Sequence, residues 1–323
     1  MIEVKNVTKK YGNFVAVDNI NFKIKEGEIV GFLGPNGAGK STTMNMITGF
    51  IEATSGQILI NGIDNVKHAR KAKKKIGYMP ENTPLYYDLT VKEFVRYMAE
   101  LKNVSKKDRN IETQKVLEET GLVEVQNKLI KNLSRGYKQR VSFAGALVGN
   151  PEILILDEPT VGLDPKQITE IRNLIKSLGK THTVILSSHI LSEISQVCEK
   201  VIIINKGKIV AVDTPENLEE MVKEKNSIVV IVEDPENKMQ EVKNNIPEIL
   251  EVDLKRESED GTREYIITAE ENIDLRKKLF KELPKLDITI LELKKLEVTL
   301  EDAFIKLINT EVENEVSGKS RKK

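Results

Sequence analysis

The chain has 323 residues, of which 50 basic and 50 acidic side chains cancel to zero net charge at pH 7; 39% are hydrophobic and one is Cys. No run approaches the roughly 18–20 apolar residues of a membrane span, a single Cys excludes a disulfide framework or multi-cysteine zinc site, and balanced charge gives no global pull toward nucleic acid or anionic lipid. The charged opening MIEVKNVTKKYG is unlike a secretory signal, so a reducing cytoplasm is the expected compartment.

Ile2, Val4 and Val7, then Phe14, Val17, Ile20 and Phe22, predict antiparallel strands joined at Tyr11-Gly12-Asn13. Strand-like apolar runs follow at Ile29–Leu33, Ile58–Ile60, Ile153–Leu156, Val184–Leu186 and Val201–Ile204, mostly separated by helix-length stretches. That alternation predicts an α/β domain with a largely parallel sheet. It should end near Thr214-Pro215, with a short helix over 216–225 leading onward.

Beyond it, Ser227–Val232 reads as a strand, residues 237–245 as a helix, and Leu250–Lys255 as a strand with Leu250, Val252 and Leu254 on one face. Asp260-Gly261 marks a hairpin turn before a strand at Glu264–Thr268. Leu275, Leu279, Phe280 and Leu283 form one helical face, and Ile288–Leu293 is the last strand. The order β-α-β-β-α-β predicts a ferredoxin-like α+β domain. Thr299 and Asp302 cap a final helix through Ile308. The division expected is residues 1–220, 221–310 and a disordered polar tail, 311–323.

Gly34-Pro35-Asn36-Gly37-Ala38-Gly39-Lys40-Ser41, with Thr42 next, matches G-x-x-x-x-G-K-[ST] between a strand and a helix that begins near Ser41. Its glycines let the backbone curl so that successive N–H groups meet phosphate oxygens. Lys40 is expected on the β- and γ-phosphates of ATP and Ser41 on Mg²⁺. Ile153–Leu156 runs into Asp157-Glu158-Pro159, placing two carboxylates where ligands bind in α/β proteins. Asp157 is expected to hold Mg²⁺ through its water shell and Glu158 to orient the attacking water. Leu133-Ser134-Arg135-Gly136-Tyr137 precedes a helix expected near Lys138 and offers a second anion contact, 157 − 134 = 23 residues before Asp157.

These segments, with Val161-Gly162-Leu163-Asp164 and Ser188-His189, stand in the order found in ATP-binding cassette proteins, which residues 1–220 resemble. The resemblance implies a P-loop NTPase cassette with a mixed, mainly parallel sheet and an antiparallel N-terminal subdomain. It implies a homodimer, or pairing with a second cassette, head to tail around two MgATP. Ser134 and Gly136 would then contact the γ-phosphate held by the partner's Lys40. It further implies that His189 contacts the γ-phosphate, that Tyr11 stacks on adenine, and that Asp164 lies in the loop linking the two sites. Asp164 also reads as a helix cap before Pro165, which leaves that role open. His68 and His182 read as structural or surface histidines, and Cys198 as inert core.

Two departures stand out. Most cassettes carry Gln after the strand Ile76–Met79, where this chain has Pro80-Glu81. Glu81 can ligate Mg²⁺ but lacks the donor of an amide. Arg135 and Tyr137 replace the usual Gly and Gln. Both departures resemble bacterial cassettes paired with export-type permeases, such as gliding-motility and drug-resistance exporters. The stretch Asn82–Thr90, with Tyr86 and Tyr87, lies where that family meets its membrane partner; a small core under a helical subdomain is the other reading. The basic run Lys67–Lys75 reads as solvated, and no nucleic acid is expected.

The function expected is therefore the ATPase subunit of an ABC transporter, peripheral on the inner face of the membrane through a separate permease. The alternatives are a soluble cassette ATPase of translation or DNA repair, and a nucleotide sensor. Only one phosphate loop is present, and 134 − 40 = 94 residues between Lys40 and Ser134 leave no room for a long coiled coil.

Overall fold

β1 (Ile2–Tyr11) and β2 (Phe14–Ile24) form a hairpin in which Tyr11 pairs with Phe14. The computed structural model describes residues 1–188, 190–222, 227–234, 238–258, 261–270, 273–296 and 299–308. They fall into two compact units: Met1–Asn217 together with the segment from Phe304, and Leu218–Ala303.

In the first unit the hairpin is followed by β3 (Ile29–Leu33), α1 (Lys40–Ile47), β4 (Ser55–Ile60), β5 (Ile63–Asp64), α2 (Ala69–Lys73) and β6 (Ile76–Met79). Next come α3 (Val91–Leu101), α4 (Arg109–Glu119), α5 (Arg135–Leu147), β7 (Ile153–Leu156) and α6 (Pro165–Gly179). β8 (Thr183–Ser188), α7 (Leu191–Ser195), β9 (Lys200–Asn205) and β10 (Lys208–Asp213) complete the run, and the division at Asn217 falls within α8 (Pro215–Val222).

The strands make two sheets. One is antiparallel, in the order β2-β1-β4-β5; the other runs β10-β9-β3-β8-β7-β6. In the second, every pairing from β9 to β6 is parallel, and β10 adds an antiparallel edge. Every residue of β3, β7 and β8 is buried, as expected of a parallel sheet covered on both faces. Parallel pairing puts the C-terminal ends of β3, β6, β7 and β8 along one edge, and the loops leaving that edge carry the motif residues. Between the sheets lies a core that includes Ile2, Ile20, Phe22, Phe32, Met44, Ile155 and Ile202.

α3 starts at a capping box: Thr90 accepts from the Glu93 N–H, and the Glu93 carboxylate accepts from the Thr90 N–H. Its buried stripe is Val91, Phe94, Val95 and Ala99, at helical spacing. α5 begins at Arg135, earlier than expected, because Ser134 is its N-cap. The strand ends of β3 and β7 coincide with the apolar runs read from the sequence.

The second unit contains β11 (Ser227–Glu233), α9 (Met239–Asn245), β12 (Ile249–Glu257), β13 (Thr262–Ala269), α10 (Arg276–Glu282) and β14 (Thr289–Lys295). All pairings are antiparallel, in the order β12-β13-β11-β14. This is the ferredoxin-like arrangement. α9 begins at Met239, where the buried Asp234 carboxylate accepts from the N–H groups of Lys238 and Met239. Ile228, Val230, Val232, Tyr265, Ile267 and Leu279 share one core. Val229, on the opposite face of β11, is also buried.

Two expectations fail in this unit. Leu250 and Leu254 are exposed, while Ile249 and Val252 enter the core. Register shifts between Ile249 and Glu251 and between Leu254 and Arg256 break the alternation. Phe280 is exposed, although Leu275, Leu279 and Leu283 are buried as expected. Thr299 and Asp302 form the expected cap on a helix over 300–308. His189, Asp260, Lys225 and residues 311–323 lie outside the described residues.

Candidate functional site

The phosphate loop follows from its glycines. Gly39 has φ 108 and is the first residue before α1, so no side-chain oxygen competes for the helix's leading N–H groups. A Cβ there would lie 2.8 Å from the Ala16 carbonyl. The result is an open ring of donors at the positive end of α1.

Lys40 is buried, and its Nζ donates to the Gly34 carbonyl at 2.7 Å. It thus closes the loop on itself while keeping its charge beside the donors. Burial lowers its pKa; Glu158, Asp157 and Glu81 oppose that shift, which places all three carboxylates within reach of its charge.

A cavity of about 460 Å³ lies over the loop. It is lined by Tyr11, Phe14, Asn36, Gly37, Ala38, Gly39, Lys40, Ser41, Thr42, Glu81, Glu158 and Val161, among others. Tyr11 and Phe14 are half or more exposed at its rim. Phe14 was not anticipated. The hairpin pairing that sets it opposite Tyr11 is the signal that finds it. The Lys9 ammonium sits 5.1 Å from the Tyr11 ring centroid.

Register places the acidic pair. Leu156 of β7 lies opposite Leu186 of β8, so Asp157, the first residue past β7, stands beside Ser187 of β8. The Ser187 hydroxyl donates to Asp157 Oδ1 at 2.5 Å and accepts from the Glu158 N–H at 2.8 Å. Glu158 has φ 51, a left-handed conformation that costs energy in a residue with a Cβ. Asp157 is buried and Glu158 half-buried. Tyr78, next to this edge, is pushed up to about 12 by burial and then by Asp157, and donates to Asn45.

The cavity thus offers phosphate-sized donors, one lysine ammonium, and oxygen donors from Ser41, Glu81 and Glu158, with Asp157 behind them. An all-oxygen set with room for water suits a hard divalent cation such as Mg²⁺. No cluster of three His, Cys, Asp or Glu side chains among the described residues forms a dedicated metal cage.

The other predicted residues are elsewhere. Ser134, Gly136, Tyr137 and Asp164 line a second cleft of about 590 Å³, with Gly121, Arg140 and Gln167. The two clefts share no lining residue. Ser134 accepts from the Tyr137 N–H at 3.5 Å, a long contact that leaves its oxygen able to meet another donor. Asp164 is the N-cap of α6, accepting from the Gln167 N–H at 2.9 Å. Arg135 turns away from the cleft, its Nη2 donating to the Val161 carbonyl.

A protein-family profile described as ABC transporter matches residues 17–161. Bacitracin transport ATP-binding protein BcrA of Bacillus licheniformis is 37% identical over 319 residues, 95% of this chain and 97% of that one. The chain belongs to the ATP-binding proteins of ABC transporters. Linearmycin resistance ATP-binding protein LnrL of Bacillus subtilis is 39% identical over 219 residues, covering 68% of this chain and 70% of that one. Among solved structures, the ATP-binding cassette MJ0796, a dimer in a post-hydrolysis state with ADP and Pi, aligns with a TM-score of 0.60 and 31% identity. That alignment covers 66% of this chain and 98% of MJ0796. The protein is accordingly an ATPase subunit of this family.

His182 is buried, its Nδ1 2.7 Å from the Pro151 carbonyl, and His68 is exposed at the start of α2. Cys198 is buried, which pushes its thiol pKa upward and leaves it inert. No helix among the described residues is long and apolar enough to cross a membrane. Tyr86 and Tyr87 are each about half exposed, and Tyr86 meets the Tyr97 ring edge-on at 5.4 Å.

Proposed function

We propose that two copies of this chain close head to tail around two MgATP and drive a separate membrane permease, in the export direction. The observation that carries this is the division of the site residues between two clefts. One holds the phosphate loop, Glu81 and Glu158; the other holds Ser134 and Gly136 at a helix N-terminus. A second, twofold-related copy turns two half-sites into two whole ones.

In such a site the phosphate-loop N–H groups and Lys40 bind the β- and γ-phosphates. Tyr11 and Phe14 cover the base. Ser41, Glu81 and the water shell of Asp157 would hold Mg²⁺, which when bound offsets charge on the phosphate oxygens. Glu158 orients the attacking water and takes up its proton. Ser134 and Gly136 of the second copy close over the γ-phosphate. His189 is assigned to the same group by resemblance.

The exposed rings of Tyr86, Tyr87 and Tyr97 suit docking to the permease, because tyrosine tolerates an interface with one wet end. The chain would thereby sit peripherally on the membrane's inner face. Residues 1–220 act as the cassette, and residues 221–310 as an accessory domain that supports the dimer or regulates it. Export rests on the Pro80-Glu81 and Arg135-Gly136-Tyr137 departures and on relatives named for antibiotic resistance and transport.

The test is twofold. The Glu158→Gln chain should form an ATP-dependent dimer by sedimentation, and the unsubstituted chain should co-purify with a membrane protein from detergent extracts. A chain that stays monomeric with ATP, or that brings down ribosomes or DNA instead, would refute the transporter reading.

A further inference from the structure

The loop after β7 is held residue by residue. Ser187 accepts from the Glu158 N–H at 2.8 Å. Gln139 Nε2 donates to the Pro159 carbonyl at 2.6 Å. The Thr160 hydroxyl donates to the buried Glu193 carboxylate. Arg135 Nη2 donates to the Val161 carbonyl at 3.0 Å. Gly162 follows with φ 70, and a Cβ built on it would lie 2.2 Å from Arg135 Cζ. The guanidinium occupies the space a side chain at position 162 would need.

Arg135 and Gln139 are four apart on α5 and therefore share a helix face. That face grips the turn that leads out of Glu158. At the same helix end stand Ser134 and Gly136, which the reading above turns toward the second copy's nucleotide.

We propose that Arg135 is a positioning residue: it fixes the turn Thr160–Gly162 from the start of α5, and through that turn the placement of Glu158. The inference rests on the proposed role of Glu158 and on the closed dimer. It gives α5 a second task. A shift of its N-terminus toward one nucleotide moves the loop that aims Glu158 at the other. Lysine would supply a compact ammonium without the planar fork, and glycine, usual at this position in the family, would supply no side-chain donor.

The test uses the full chain and steady-state ATP hydrolysis. Arg135→Ala should lower kcat roughly tenfold, the order of one charge-assisted hydrogen bond, and leave KM for ATP within about twofold. Arg135→Met keeps the stem packing and should show the same split if the alanine variant folds poorly. Arg135→Lys should recover part of the loss. Gly162→Ala should slow the parent chain about as much as Arg135→Ala does, because the new Cβ pushes the guanidinium off the Val161 carbonyl. In the Arg135→Ala background the same change should cost several-fold less, because only the φ strain remains. Multiplying effects in the double variant would overturn the proposal. So would a raised KM with kcat intact, which would make Arg135 a direct nucleotide contact. Failure of the underlying reading looks different: Glu158→Gln would hydrolyse ATP normally, whatever the Arg135 variants do.

Discussion

Ser187 is a single hydroxyl that serves two neighbours, and the site depends on both. It donates to Asp157 and accepts from the Glu158 N–H, so removing it takes one hydrogen bond from a buried carboxylate and one from a residue in a left-handed conformation. Ser187→Ala should therefore lower turnover roughly tenfold, and a free-Mg²⁺ titration of hydrolysis should shift to higher concentration. Glu158→Gln should keep ATP affinity and lose about 100-fold or more in kcat, since a general base commonly contributes that much. Fluorescent-nucleotide binding and phosphate release separate the two quantities. Lys40→Ala should instead weaken nucleotide binding itself. Lys40, Asp157 and Glu158 were legible in the sequence because their chemistry needs fixed residue types at fixed spacing. Ser187 and Phe14 were not. Their roles come from which residue lies opposite in a neighbouring strand, and pairing register leaves no local mark.

Helix α5 shows what an element adds. Its first turn is capped by Ser134, and carbonyls at its last turn are met by the lysine that follows α3. Lys102 is half-buried, and its ammonium donates to the carbonyls of Ala146 and Val148 at 2.7 and 2.8 Å. Burial lowers its pKa to about 8, with Glu112 pulling the other way. The folded chain thus loses this proton before the unfolded chain, whose lysines titrate near the usual value of about 10.4. Between those values the unfolded state binds more protons, so stability from this residue rises with pH; below about pH 8 the contribution is flat. The stability deficit of Lys102→Met should accordingly grow by about 1–3 kcal/mol between pH 7.5 and 10. Urea unfolding of both chains at the two pH values measures it, and a deficit that shrank would contradict the assignment. The elements themselves were largely readable: β3 and β7 occupy the runs the sequence marks. What failed was facing in β12, where bulges shift Leu250 and Leu254 to solvent. A bulge adds a residue without changing the hydrophobic alternation that precedes it, so the pattern alone misassigns the face.

At the scale of the molecule, the fold sorts the predicted site residues into two clefts, which under the proposed dimer are half-sites. No local pattern shows that Ser134 and Lys40 line separate clefts; the folded chain does. Two variants should each be inactive alone, Lys40→Ala lacking the cradle and Ser134→Arg blocking the other half-site. Mixed together, they should regain activity, because a mixed pair contains one site with both halves unaltered. Hydrolysis that stayed at the level of either variant would argue that each chain works by itself. The same division bears on inheritance. If the chains pair as proposed, a cell that makes intact and Lys40→Ala chains in equal amounts would, by random pairing, assemble about a quarter of its pairs with both sites whole. If transport needs both sites, a faulty second copy of the gene would suppress the healthy one rather than merely dilute it.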